Sequence, residues 1–407
     1  MNKSNINFVP LQGGVSVSSI MIDLNLDIEQ IEVNRETRQV LCVGNTNKNT
    51  TKLQFTISTN ITKFTIRVDL EVVTLKSGFA CEFSVYYVKP LCSCKINNTI
   101  QLVSKNLKTN EEKYNEIPLI GVTQQTTRID YDELCENKKL GEGSFGIVYK
   151  GSFRGNIVAI KIMKSVLDDN KSMDEFENEV SMLDKFRCEY IVHFYGAVFI
   201  PNKVCLVTEF ALYSSLQDLM KHKTSEKVDN KMRLKFMNDS ARGILYLHDN
   251  EILHRDIKPD NILVFSFNLN DKANAKLTDF GSSRNVNMLM TNMTFTKGIG
   301  TPIYMAPEVL KKDKYKKPAD IYSFAITMYE VFGWKEAYSV QTFKFPWKIA
   351  EFVTAGQHLE NRENIPGVLF SIIQMCWNQN PKERNTIKNV VDSLNLVIKD
   401  ISINTVK

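Results

Sequence analysis

Glycines near the middle of the chain have the spacing of a loop that binds phosphate. Gly141, Gly143 and Gly146 follow the pattern G-x-G-x-x-G. Because glycine lacks a Cβ, the backbone of such a loop can approach phosphate oxygens closely. A dinucleotide-binding turn has the same glycines but leads into a helix. Here segments 147–150 and 157–162 have the β-branched composition of strands, which favours a glycine loop that joins two strands.

A lysine at the end of an apolar run predicts an ion pair. Lys161 follows Val-Ala-Ile, and a buried charge without a partner is costly. The next helix is predicted to begin with a capping box of Ser172 and Glu175. Glu179 lies at the edge of the apolar face of that helix, so we predict a pair between Lys161 and Glu179. The alternative is that Glu179 is one more solvated acid.

Three more motifs follow in order along the chain. They are H-R-D-I-K-P-D-N at 254–261, D-F-G at 279–281 and A-P-E at 306–308. Together with the glycine loop they resemble the motifs of protein kinases, and the resemblance covers residues 137–398. It implies a bilobal protein kinase fold of the α+β class, with a small β-rich N-lobe and a larger α-helical C-lobe. It also implies transfer of phosphate from ATP to protein substrates.

The resemblance implies a role for each polar residue of these motifs. Asp256 would accept or orient the proton of the attacking hydroxyl, and Lys258 would neutralise charge on the transferred phosphoryl group. Asn261 and Asp279 would each hold a Mg²⁺ ion, with Mn²⁺ as the alternative metal. Lys161 would bind the α- and β-phosphates. In such a reaction the protein mainly aligns the groups and stabilises charge.

The resemblance also implies which residues bind ATP. The phosphates would lie under the glycine loop, which includes Ser144. Thr208 resembles the gatekeeper residue, and Glu209 and Ala211 would offer hinge backbone groups to the adenine. The adenine would pack against the apolar side chains of Leu140, Val148, Ala159 and Leu263.

The sequence contains features of two classes of protein kinase. Lys258 and segment 300–308 resemble serine/threonine kinases, whereas segment 320–324 and Cys376-Trp377 are shared with tyrosine kinases. This mixture is typical of the tyrosine-kinase-like group, and the chain resembles the cytoplasmic half of protist receptor-type kinases of that group. We predict a serine/threonine kinase of intracellular signalling. The alternatives are a dual-specificity or tyrosine kinase, or a nucleotide-binding scaffold that acts through its N-terminal part.

An arginine beside the catalytic aspartate implies control by phosphorylation. Arg255 would bind a phosphate on the activation segment, which runs from D-F-G to A-P-E, and the phosphate would order that segment. Thr294 and Thr296 are the preferred sites, and Thr301 would contact the catalytic loop. The alternative is that the hydroxyls of this segment are simply solvated.

The N-terminal part of the chain has the rhythm of an antiparallel β-sandwich. Short β-branched runs occur at 40–43, 53–57, 64–68, 79–88 and 99–103. We predict an all-β, immunoglobulin-like sandwich of the major-sperm-protein type at 1–125, a linker at 126–136, the kinase domain at 137–398 and a tail at 399–407. The whole polar stretch 106–130 has the composition of connecting chain. The sandwich is either a regulatory module with an unidentified ligand or a passive spacer.

Composition limits the partners and the compartment. With 407 residues the chain is too long for one ordinary domain. Its 51 Lys and Arg against 46 Asp and Glu leave +5, too small an excess to predict nucleic-acid or membrane binding. No stretch has the apolar block of a signal peptide or the roughly 20 apolar residues of a membrane span. We predict a cytoplasmic protein, recruited to a membrane only through partners or as the inner part of a longer receptor.

Eight cysteines are too few for a disulfide scaffold in a chain of this length. Four of them lie in the predicted sandwich, at Cys42, Cys81, Cys92 and Cys94. Free thiols are the expected state, and a four-thiolate zinc site is the alternative.

Overall fold

The computed structural model describes residues 6–57, 62–88, 90–142, 146–164, 170–280, 284–285, 302–339 and 341–405. The chain divides into two compact units. The first unit comprises Met1–Phe176 and Tyr195–Thr208, and the second comprises Glu177–Phe194 and Glu209–Lys407.

Two five-stranded sheets form the N-terminal module of the first unit. Their strands are β1 (Val9–Leu11), β2 (Val15–Val17), β3 (Ile22–Asp23), β4 (Thr37–Asn45), β5 (Thr51–Ile57), β6 (Thr65–Val68), β7 (Val72–Leu75), β8 (Ala80–Val88), β9 (Lys95–Asn106) and β10 (Glu112–Val122). One sheet has the order β1-β2-β4-β8-β6 and the other β3-β10-β9-β5-β7. The described pairs are antiparallel except β3 with β10, which is parallel. The predicted N-terminal β module is confirmed.

The two sheets share one apolar core because their strands alternate buried and exposed residues. In β5, Thr51, Leu53 and Phe55 are buried while the residues between them are exposed, as expected for a strand with one face on a core. The ring of Phe55 meets that of Phe83, from the other sheet, edge-on at 4.8 Å between centroids. Burial of this face is the main stabilising contribution to the module.

The polar stretch 106–130 is not all connecting chain, and that part of the prediction is wrong. Residues 112–122 form β10, which pairs with β9 along its whole length. Within β10, Asn115, Ile117 and Leu119 are buried in alternation with exposed residues. Glu112 and Glu116 therefore lie on the solvent face of a strand.

A third five-stranded sheet completes the first unit and forms the β-rich region of the predicted kinase domain. Its strands are β11 (Leu134–Glu142), β12 (Gly146–Phe153), β13 (Asn156–Met163), β14 (Phe194–Val198) and β15 (Cys205–Glu209), in the order β11-β12-β13-β15-β14. Helix α1 (Asn170–Leu183) follows β13. It begins before Ser172, so the predicted capping box is wrong, whereas the predicted apolar face of Phe176, Val180 and Leu183 is buried.

Within the first unit, the sandwich contacts both the core of the third sheet and the segment that leads to it. Cys92, from the loop between β8 and β9, is fully buried in the core of the third sheet. Lys63 Nζ lies 2.5 Å from carboxylate oxygens of both Asp130 and Asp132. The N–H of Ser93 donates to the carbonyl of Arg128 at 2.8 Å. The segment that follows β10 is thus held against the sandwich.

The second unit is mainly helical, as predicted for the C-terminal part of the kinase domain. Its helices are α2 (Leu216–His222), α3 (Asn230–Asp249), α4 (Pro307–Leu310), α5 (Lys317–Gly333), α6 (Pro346–Thr354), α7 (Gly367–Cys376) and α8 (Ile387–Thr405). Short antiparallel pairs join β16 (Ile252–Leu253) to β19 (Arg284–Asn285) and β17 (Ile262–Val264) to β18 (Ala275–Leu277). Among the described residues no helix combines the length and the apolar character needed to cross a membrane.

Candidate active site

The loop between β16 and β17 brings three predicted catalytic residues together. Lys258 Nζ lies 2.6 Å from Asp256 Oδ2, and Asn261 Nδ2 donates to the same oxygen at 2.9 Å and to the carbonyl of Asp256 at 2.7 Å. Both charged side chains are largely buried, with 19% of Lys258 and 13% of Asp256 exposed. The Asp256 carboxylate is therefore fixed by two donors from its own loop.

A buried carboxylate from α5 fixes the backbone that leads to Asp256. Asp320 is fully buried and accepts hydrogen bonds from the N–H groups of His254 at 3.1 Å and Arg255 at 3.0 Å. Its oxygens also bind the Tyr315 hydroxyl at 2.8 Å and His248 Nε2 at 2.9 Å. Burial alone would raise the pKa of Asp320, but these hydrogen bonds hold the pKa below its ordinary value.

The strand before Asp279 is tied to the same loop. The N–H of Thr278 donates to the carbonyl of Asn261 at 3.0 Å, and His254 Nε2 lies 3.1 Å from the carbonyl of Thr278. Asp279 itself has a φ of 63° and Arg255 a φ of 70°. Such left-handed conformations are uncommon for residues other than glycine and often occur at functional sites.

His254 packs in an aromatic cluster. Its ring centroid lies 5.2 Å from that of Phe280, whose ring meets Phe186 at 5.0 Å. Phe280 is 2% exposed. Leu183 and Phe194, in the same unit, are also buried.

The side chains at the predicted metal position are chemically suited to Mg²⁺. Asn261 uses its Nδ2 to donate to Asp256, which assigns the other terminal atom of the amide as the carbonyl oxygen. Asp279 supplies a carboxylate. Hard oxygen donors of these two kinds are the protein ligands that Mg²⁺ prefers.

The glycine loop joins two antiparallel strands, as predicted. Gly141 of β11 pairs with Val148 of β12, while Gly143 and Ser144 lie outside the described residues. A Cβ on Gly146 would lie 2.1 Å from the carbonyl oxygen of Ile162 in β13, so glycine is required there by close strand packing. A Cβ on Gly141 would meet nothing within 4 Å.

The other predicted nucleotide-binding residues of the first unit lie on this sheet. Ala159 and Lys161 are on β13, with Lys161 paired opposite Val148 of β12. Leu140 on β11 is 46% exposed, and Thr208 is on β15. Glu179 belongs to α1 in the second unit, and its ion pair with Lys161 stays a prediction.

Residue Glu209 is held by two neighbours within the second unit. Lys276 Nζ lies 2.6 and 2.8 Å from the two carboxylate oxygens of Glu209. The N–H of Glu209 donates to the carbonyl of His193 at 2.9 Å. Of the two backbone groups that Glu209 could offer to the adenine, the N–H is therefore already engaged in a hydrogen bond within the protein. Ala211 is buried, and Leu263 lies half-buried on β17.

The C-terminal end of the activation segment is anchored to the helices of the second unit. The Tyr304 hydroxyl donates to Glu330 Oε2 of α5 at 2.7 Å. Glu308, of the A-P-E motif, receives two hydrogen bonds of 2.7 Å from Arg384, whose side chain is fully buried. Thr294, Thr296 and Thr301 lie outside the described residues.

Two positioning residues were missed by sequence reasoning. Asp320 lies in segment 320–324, for which the sequence indicated no positioning role, and Glu330 lies outside all the motifs. Each is an acid inside the apolar pattern of α5, and that contrast is the signal that could have identified them, because a buried carboxylate must be paired.

No group of three metal-ligating side chains occurs in the described part of the chain, whose cysteines are free. Cys92 and Cys94 instead interact with each other through a hydrogen bond that raises the pKa of Cys92 and lowers that of Cys94.

Comparison with known proteins relates two-thirds of the chain to one family. Residues 134–394 match the family described as protein tyrosine and serine/threonine kinase. A Dictyostelium discoideum protein named "Probable serine/threonine-protein kinase gdt9" is 32% identical over 283 residues, which cover 63% of this chain and 18% of that relative. An Acanthamoeba polyphaga mimivirus protein, named as a serine/threonine-protein kinase/receptor, R818, is 34% identical over 66% of this chain and 15% of its own length.

A plant relative aligns over more of the chain. The Arabidopsis thaliana protein "Serine/threonine-protein kinase STY17" is 30% identical over 335 residues, which cover 81% of this chain and 56% of that relative. The chain thus spans less than a fifth of the length of the first two relatives and about half that of the third.

Proposed function

Because this chain belongs to the protein tyrosine and serine/threonine kinase family, we propose that it is an ATP-dependent protein kinase that phosphorylates serine and threonine hydroxyls of protein substrates. The observation that carries the proposal is the arrangement of Asp256, whose Oδ2 is held by Lys258 at 2.6 Å and Asn261 at 2.9 Å. A carboxylate fixed in this way can orient a substrate hydroxyl and accept its proton.

The remaining site residues take roles that follow from their chemistry. Lys258 would neutralise charge on the transferred phosphoryl group, and Lys161 would bind the α- and β-phosphates with Glu179 as its partner. Asn261 and Asp279 would each hold a metal ion. Bound ATP and Mg²⁺, or Mn²⁺, would supply the phosphoryl group and neutralise part of its charge. ATP would be held by the glycine loop with Ser144 and by the residues named for the adenine above.

We assign the kinase to the tyrosine-kinase-like group and expect activation by phosphorylation. Lys258, close to Asp256, supports serine/threonine preference, and the relatives named as serine/threonine kinases agree with it. Arg255 in its left-handed conformation would bind a phosphate on Thr294 or Thr296. Because ATP is the phosphate donor, the kinase would act inside the cell, by itself or as part of a longer receptor.

Phosphate transfer to a peptide library from Mg-ATP tests the proposal directly. The full chain is expected to label serine and threonine peptides, and Asp256→Asn is expected to lower the rate by at least about a hundredfold because the proton acceptor is lost. Glu226→Gln, an exposed acid of the second unit, is the matched control. Equal rates for the wild type and Asp256→Asn, or labelling of tyrosine alone, would contradict the proposal.

We also propose that the sandwich at 1–125 is regulatory and acts on the kinase domain through the segment 126–136. The backbone of Arg128 bridges to Ala197 of β14, and its guanidinium carbon lies 3.7 Å from the centroid of the Phe199 ring. That ring meets Phe176 of α1 at 5.2 Å. A ligand that moves the sandwich would thus disturb packing on the helix that carries the predicted partner of the phosphate-binding lysine.

Replacement of the residues along this route tests the regulatory proposal. Lys63→Ala removes the contact of the sandwich with Asp130, and Arg128→Ala removes the contact with Phe199. Each is expected to change the rate of phosphate transfer at least threefold, whereas Lys52→Ala, on an exposed position of β5, leaves it unchanged. Unchanged rates in both test variants would identify the sandwich as a passive spacer.

A further inference from the structure

The second unit contains a cavity of about 630 Å³ that the proposed catalytic residues do not line. Its walls come from α3, α8 and the turn that joins β17 to β18, and Tyr190 completes them. This volume lies in the range that accommodates a small ligand. The lining residues divide into a charged part and an apolar part.

The charged part has an excess of cations. It contains four basic side chains and one carboxylate, those of Lys231, Lys235, Arg242, Lys272 and Asp239. Asp239 is 1% exposed, and its charge is already balanced: Lys235 Nζ lies 2.6 Å away and the N–H of Asn274 donates to it at 2.7 Å. Lys272 pairs with Glu189 outside the cavity. An anion in the cavity would therefore meet a positive potential.

Two of the residues that line the cavity each carry a buried polar atom without a hydrogen-bond partner among the described residues. Arg242 donates to the Tyr190 hydroxyl at 3.0 Å and to Asn395 Oδ1 at 3.2 Å, but its buried Nε has no acceptor. Asn238 is 4% exposed, and its Oδ1 has no donor. Buried polar groups without partners are rare and costly, and a bound ligand is one explanation for them.

The apolar part lies beside these groups. Leu234 of α3, Leu269 of the β17–β18 turn and Ile398 of α8 line the same cavity. A ligand that fills it must combine an anionic head with an apolar body, since an ion alone would leave these side chains uncovered.

We propose that this cavity binds an alkyl phosphomonoester, with its phosphate near Arg242 and Asn238 and its chain against Leu234, Leu269 and Ile398. A phosphomonoester is singled out because, near its second pKa of about 6, it offers both anionic oxygens and one O–H. The anionic oxygens accept from the guanidinium of Arg242, which lines the cavity. The O–H donates to Asn238 Oδ1, which a carboxylate cannot do.

Calorimetric titration of the full chain with dodecyl phosphate, at pH 6 and below its micelle concentration, tests this proposal. We expect one binding site. Arg242→Met is expected to weaken binding at least tenfold because a charge-assisted hydrogen bond is lost. Lys388→Met removes an exposed charge from α8 outside the cavity, and binding is expected to stay within twofold of the wild type. Leu269→Glu, on an exposed turn, is a second variant that should also weaken binding tenfold without disturbing the fold.

Three further probes decide which part of the ligand matters. Dodecanol and inorganic phosphate are each expected to bind at least tenfold more weakly than dodecyl phosphate, and laurate several-fold more weakly. Equal affinity for dodecanol would overturn the anion assignment, equal affinity for inorganic phosphate the role of the chain, and equal affinity for laurate the role of Asn238. Absence of binding, or equal binding by Arg242→Met and Leu269→Glu, would overturn the site itself.

Discussion

Replacement of Glu330 by glutamine is expected to remove a pH dependence from the stability of the second unit. Glu330 is 2% exposed within α5. Its oxygens accept hydrogen bonds from the Tyr304 hydroxyl at 2.7 Å and from the N–H of Ala337 at 2.8 Å. Burial, assisted by the charge of Glu336, raises the pKa of Glu330 from an ordinary value of 4.5 to about 7, against the opposing effect of these two hydrogen bonds.

The sign and the size of the effect follow from this pKa. In the folded chain Glu330 keeps its proton up to pH 7, whereas in the unfolded chain it loses the proton near pH 4.5. Its contribution to stability is therefore fully present below pH 4.5 and is lost as the pH rises through 7. One pKa unit corresponds to about 1.36 kcal/mol, so the loss between pH 5 and pH 8 amounts to about 2 to 3 kcal/mol.

The assay is urea unfolding of the wild type and Glu330→Gln at pH 5, 6, 7 and 8. The amide is neutral throughout, so the difference in free energy of unfolding between the two proteins should shift by about 2 to 3 kcal/mol in favour of the variant over this range. Glu351→Gln, at an exposed position of α6 paired with Lys348, is the matched control and should show no such shift. A difference that stays constant with pH would refute the reasoning.

Two other predictions concern packing and charge. Arg384→Met should lower the free energy of unfolding by about 3 to 5 kcal/mol because it leaves Glu308, 14% exposed, without its partner. In urea unfolding, the double variant with Glu308→Met should lose less free energy than the sum of the two single variants. Additive losses would contradict the pairing. Gly146→Ala should cost about 1 to 3 kcal/mol in the same measurement because its Cβ would overlap a carbonyl oxygen at 2.1 Å, whereas Gly141→Ala, with open space, should be close to neutral. Equal effects of the two alanines would show that strand packing does not require the glycine.

Periodic segments were predicted well from the sequence, and polar segments were not. The predicted helical character of the C-terminal part is observed in α3 and α5, because apolar positions repeat at the helical period along both. Strand β10 was missed because Glu116 and Pro118, two residue types that are depleted in strands, separate its buried residues Asn115, Ile117 and Leu119. Composition averaged over that stretch conceals an alternation that only pairing with β9 makes evident.

The catalytic motifs could be found in the sequence because their chemistry restricts residue type over a short stretch of chain. Asp256, Lys258 and Asn261 lie within six residues of one another, so their order along the chain already brings them close. The family and the candidate catalytic residues followed from this local pattern.

Other properties depend on contacts between distant segments and appear only in the tertiary structure. Asp320 receives hydrogen bonds from α3, from the catalytic loop and from Tyr315, and burial within the second unit raises the pKa of Glu330. The cavity beside Arg242 requires two helices and a turn that are far apart in sequence. Burial and non-local hydrogen bonding decide these features, because neither is encoded in the types of neighbouring residues.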